Sequence, residues 1–145
     1  MKTTLDIYDN DILELPLVVG IAVPLEQLKK DYTYTDDTEL DSALINPAGS
    51  CCILKNIKTG TVVVFVGINN IPDYIKKDTK FKQVCWVINT IGHECYHAFT
   101  DSMSIINETP STDHQELAAY YMGWLVECMY KTWVKSTTKH KENAE

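Results

Sequence analysis

The sequence predicts an α+β fold, a small sheet or hairpin followed by two long helices packed on it. Two observations carry that prediction. Through residue 68 the apolar residues come in short β-branched runs broken by Pro, Gly and Asp. After about residue 79 they recur at threes and fours, the period of a helix buried along one side.

The elements follow in order. "LPLVVGIAV" (15–23) is continuously apolar and reads as a buried strand. "PLEQLKKDY" (24–32) starts on Pro and spaces Leu25, Leu28 and Tyr32 as a short amphipathic helix. Residues 33–50 are rich in Asp, Thr, Ser, Gly and Pro without a sustained period, the pattern of a surface loop. "CCILKNI" and "TVVVFVGI" flank Lys58-Thr59-Gly60 and predict a hairpin. From about Thr79 to Asp101, Phe81, Val84, Cys85, Ile88, Ile91, Cys95 and Phe99 form a helical apolar stripe. A second helix is expected from Thr112, where Thr112-x-x-Gln115 fits a capping box, with Leu117, Ala118, Tyr121, Leu125, Cys128 and Met129 as its stripe. One domain, 1–133, is expected, with a polar, fraying tail at 134–145.

Composition narrows the function. Thirteen Lys and Arg against 20 Asp and Glu leave a net charge of −7, and no basic cluster suited to nucleic acid stands out. The longest N-terminal apolar run is too short to span a bilayer, and acidic residues precede it, which argues against a signal peptide. Five cysteines, an odd number with no CxxC pair, point to reduced thiols in a cytoplasm rather than to a disulfide framework. Trp86, Trp124 and Trp133 read as packing anchors, and Gly92 and Gly123 as sites of close helix contact.

The string that carries chemistry is Gly92-His93-Glu94-Cys95-Tyr96-His97. On a helix, residues four apart lie one turn apart on one side, so His93 and His97 can face one cation, zinc first. Glu94 sits about 100° around the helix, placed to hold a water at that ion. The apolar stripe near Ile88, Cys95 and Phe99 lies roughly opposite the histidines, with Trp86, Thr90 and Asp101 on their side. A catalytic zinc takes three protein ligands and keeps one open position. Asp101, one turn beyond His97, suits an acceptor that orients an imidazole better than a ligand. His114 and Glu116 are two apart, so only one can face the site. His114 aligns with the apolar stripe, Glu116 sits on its flank with Tyr120 and Glu127, and geometry leaves the choice open.

His93-Glu94-x-x-His97, with Glu116 eighteen residues further on, resembles the gluzincin metallopeptidases typified by thermolysin and aminopeptidase N. "HECYHAFTD" is similar to the thermolysin-like run HExxHxxTD, and "QELAAYYMGWL" is similar to a segment of small HExxH proteins of Bacteroidota phages. The resemblance covers about residues 80–130. It implies a minimal zincin-like domain, a zinc site of His93, His97 and Glu116, and Glu94 as the catalytic base of a peptidase. It further implies an oxyanion donor, for which Tyr120 is the first choice and Tyr121, Tyr96 and His114 are others. In that family an edge strand holds the peptide by backbone pairing, a role the strand at 61–68 could take. Two alternatives stand beside it: a non-enzymatic phage protein, virion component or host-protein binder with a structural or vestigial metal, and a regulatory protease that needs a partner. A structural zinc has no need of Glu94; hydrolysis does.

Overall fold

The structure, a computed structural model, describes residues 1–10, 13–109 and 115–138. It is α+β. Strands β1 (Thr4–Tyr8), β2 (Leu17–Ile21), β3 (Tyr32–Tyr34), β4 (Gly49–Asn56) and β5 (Val62–Ile68) form one sheet in the order β1-β2-β5-β4-β3. The β2–β5 pair is parallel and the others are antiparallel. Among the described residues the α-helices are α1 (Leu25–Leu28), α2 (Asp73–Lys76), α3 (Lys80–Ile105) and α4 (Gln115–Thr137).

Alternation along the central strands explains the two cores. Leu17, Val19 and Ile21 of β2 join Val64, Val66 and Ile68 of β5 beneath α3 and α4. Val18, Val63 and Phe65 face the other way and meet Leu28, Tyr32, Leu40 and Leu44. A strand buried on both faces has no polar side to show, so its sequence reads as a continuous apolar run. That is why β2 and β5 were legible.

Other expectations need correction. The helix at 24–32 is a single turn, because Tyr32 leaves it to pair with Asn56 in the sheet. The loop at 33–50 contains the end of β3, a 3-10 turn at Ser42–Leu44 capped by Asp41, and the start of β4. Strand β1 was missed, since its alternation is masked by the acids around it. Its Asp6 is held by Thr132 and Lys135 of α4 at 2.9 and 2.8 Å. Those contacts also carry α4 past the expected boundary at residue 133: Ser136 is buried, and its carbonyl accepts from the Lys2 amide at 2.9 Å.

Helix α3 begins where expected, with Thr79 Oγ1 accepting from the Lys82 amide at 3.4 Å, and runs one turn longer. Thr112 and His114 fall outside the described residues. Among the described residues no helix is long and apolar enough to cross a membrane.

Candidate metal centre

Helix α3 lies over β4 and β5, and α4 lies over β1 and β2. The two helices run antiparallel. Ser102 Oγ and Tyr121 Oη share a hydrogen bond of 2.7 Å, and Cys95 sits beside Cys128. Helix α4 therefore covers one flank of α3, while the other flank overhangs β4. There a cleft of about 460 Å³ opens, lined by His93, Glu94, His97 and Asp101 from α3, Gly49 to Cys52 from β4, and Tyr34 from β3.

The buried side of α3 consists of Val87, Thr90, Ile91, Glu94, Cys95, Ala98, Phe99 and Ser102. It is rotated from the expected stripe. Phe81, Val84, Cys85 and Ile88 stay exposed, because the first turns of α3 receive little cover. The rotation matters for the site: it puts Glu94 into the sheet-facing side, 7% exposed, and leaves His93 and His97 at the cleft's rim.

The two imidazoles converge. Their Nε2 atoms are 3.1 Å apart, with ring centroids 4.7 Å apart and planes at 75°. An ion about 2.0–2.1 Å from each nitrogen would subtend roughly 95–100°, close to the tetrahedral value. The pair thus fits as two adjacent ligands of one cation.

Glu94 lies against the start of β4. A Cβ added to Gly49 would fall 2.5 Å from Glu94 Oε1, so the carboxylate occupies the space that glycine leaves. Burial pushes the Glu94 carboxyl above the ordinary carboxylate range, partly offset by His93 and His97. Asp101 lines the same cleft, and its Oδ2 accepts from Cys51 Sγ at 3.5 Å. Its partner is therefore a thiol rather than the imidazole the sequence suggested. Burial, with Asp101 next, drives the Cys51 thiol far up, and the same two causes raise Cys52 to about 12.

Glu116 is not among the residues that line this cleft. With Ser102 facing Tyr121 in antiparallel helices, paired residue numbers sum to 223, and Glu116 is level with position 107. That position lies beyond the C-terminal end of α3 at Ile105, more than two helical turns past His97. Glu116 is exposed on α4, across α3 from the cleft. Among the described residues no group of three His, Cys, Asp or Glu side chains is arranged to hold an ion. Tyr120 is 71% exposed and does not line the cleft, and Tyr121 is committed to Ser102 in the core. Tyr96 is exposed beside His97, with ring centroids 6.4 Å apart.

Two further expectations change. Strand β5 is enclosed by β2 and β4, so it offers no edge to a peptide. The outer edge of β4 pairs with β3 only from Leu54 to Asn56, which among the described residues leaves 49–53 without a strand neighbour on that side. Gly92 and Gly123 face open space rather than a neighbouring helix. The sequence reading missed Tyr34, Gly49 and Cys51 as cleft residues. All three lie where no motif marks them, and only the pairing of β3 and β4 brings them under α3. Comparison with known proteins finds no matching family model, no similar curated protein and no similar solved structure.

Proposed function

We propose that the chain is a zinc-dependent peptidase of zincin-like architecture, with His93 and His97 as metal ligands and Glu94 as the catalytic base. The observation that carries this reading is the 3.1 Å approach of the two Nε2 atoms at the rim of a cleft that also holds the Glu94 carboxylate. Zinc, when bound, polarises a carbonyl and lowers the pKa of water. Glu94, raised by burial, takes the proton from the attacking water and returns it to the leaving amine. The free stretch of β4, 49–53, takes the extended substrate by backbone pairing in place of β5. Tyr34 lines the same cleft and replaces Tyr120 as the phenol offered to the oxyanion, on release of the 3.4 Å hydrogen bond that its hydroxyl donates to Asp41 Oδ1.

Two acids compete for the third ligand position. Asp101 shares the cleft with the histidines, whereas family resemblance favours Glu116. Zinc affinity of Asp101→Asn and Glu116→Gln separates them, since only the ligand's variant should bind zinc at least tenfold more weakly.

The decisive experiment is metal analysis of the wild type beside His97→Ala and Glu94→Gln, with peptide hydrolysis measured on each. About one zinc per chain, lost in His97→Ala and kept without activity in Glu94→Gln, supports the proposal. Equal zinc in all three variants overturns the ligand assignment. A second reading, a non-enzymatic phage protein, draws on the lack of a third converging ligand among the described residues. It predicts no activity in the wild type and no functional cost for Glu94→Gln.

A further inference from the structure

The first half of α3 carries an apolar face that nothing in the described structure covers. Phe81 and Ile88 are 76% and 61% exposed, and Val84 and Tyr96 are exposed beside them. At 100° per residue these four fall within about 120° of one another, so they form one stripe rather than scattered contacts. Gly92 interrupts the stripe between Ile88 and Tyr96, with no atom within 4 Å of where its Cβ would be, and leaves a shallow saddle. Tyr74 of the neighbouring helix α2 is likewise 70% exposed.

The rim of this face is basic, against the sign of the whole chain. Lys76, Lys77, Lys80 and Lys82 lie within seven residues of a protein with net charge −7. Lys76 is paired with Asp73 and Lys82 with Asp78, at 3.0 and 3.1 Å. Lys77 and Lys80 form no ion pair among the described residues. Apolar side chains and unpaired lysines on one surface define the partner's chemistry: apolar anchors flanked by carboxylates.

Other occupants fit less well. Residues 139–145, "KHKENAE", contain one alanine, and their two lysines and two glutamates cancel, so they have nothing to bury here and no net negative charge to match the lysines. A second copy of the chain brings the same two lysines and no exposed carboxylate on the stripe itself, so it offers this face less complementary charge. An anionic membrane would be held by two unpaired lysines against the repulsion of the remaining acidic surface.

We infer that the open face of α3, from Phe81 through Ile88 to Tyr96 with Lys77 and Lys80 at its edge, docks an acidic amphipathic helical segment of another protein. This inference does not depend on the metal reading. A suitable probe is a fluorescent synthetic helical peptide with Leu at i, i+3, i+4 and i+7 and Glu elsewhere, titrated by anisotropy. Binding should weaken at least tenfold in Phe81→Ser/Ile88→Ser and in Lys77→Glu/Lys80→Glu, and should weaken with added salt. The peptide should also protect the exposed Cys85 from alkylation. All four positions are on the surface, so circular dichroism should show intact folds; if the apolar pair fails to fold, the lysine pair still tests the inference. It is overturned if neither variant weakens binding, or if the matching Leu/Lys peptide binds as tightly. It is also overturned if the same substitutions instead abolish sedimentation with phosphatidylserine vesicles or a dimer of the protein itself.

Discussion

The Nε2 atoms of His93 and His97 face each other at 3.1 Å at the rim of a cleft floored by β4. Two neutral rings gain one hydrogen bond from that approach, whereas a shared cation engages a lone pair from each. Ion binding to the folded state alone raises stability by mass action, about 2.7 kcal/mol at a hundred times the dissociation constant. Zinc should therefore raise the wild-type melting temperature by several degrees and leave His97→Ala unmoved, as read by thermal unfolding with and without the metal.

Gly49 and Gly123 are expected to respond to alanine in opposite ways. At Gly49 the new methyl would meet Glu94 Oε1 at 2.5 Å and push the carboxylate out of place, so hydrolysis should fall at least tenfold. At Gly123 nothing lies within 4 Å, and alanine should stabilise the helix by about 0.5–1 kcal/mol with activity unchanged. Paired thermal melts and peptide assays check both.

The phenol that serves the reaction can be identified by removing one oxygen. Tyr34→Phe should lower kcat by roughly ten- to a hundredfold with little change in KM, because an oxyanion donor acts mainly in the transition state. Tyr120→Phe should leave both constants unchanged, since that side chain points to solvent across α3 from the cleft. Equal losses at the two positions would refute the assignment of Tyr34.

Asp6 predicts the acid limit of the fold. Burial alone would raise its carboxyl, but hydrogen bonds from Lys135, Thr132 and Tyr8 outweigh this and hold it below the usual value of 3.8. A carboxyl lowered in the folded state lends stability that is present above its unfolded pKa and lost as pH falls through the folded one. Unfolding free energy should thus decline below about pH 4, and Asp6→Asn should flatten that decline. At neutral pH the substitution should cost about 1–2 kcal/mol, measured by urea titration.

Thiol chemistry offers a test of the packing itself. Cys85 is exposed, while burial raises Cys95 and Cys128 to about 12 and 11 and lifts Cys51 and Cys52 as well. Brief alkylation of the native protein at neutral pH should add one label, at Cys85, by peptide mass analysis. Rapid labelling of Cys51 would mean that the floor of the cleft opens in solution.

What the sequence determined by itself were features set by neighbours along the chain. Continuous β-branched runs specified β2 and β5, the 3–4 period specified two long helices, and the four-residue spacing of His93 and His97 put both rings on one turn. What only the tertiary structure decided were relations between distant segments. The rotation of α3, which buries Glu94 against Gly49 and exposes Ile88, depends on where the sheet and α4 cover it. The register of α3 against α4, marked by the Ser102–Tyr121 bond, leaves Glu116 and Tyr120 outside the cleft lining, while the pairing of β3 with β4 brings Tyr34 into the cleft that holds Asp101 and both imidazoles. A helical period states which residues share a face, but the partner that face meets is chosen by packing many residues away, and no local pattern encodes it.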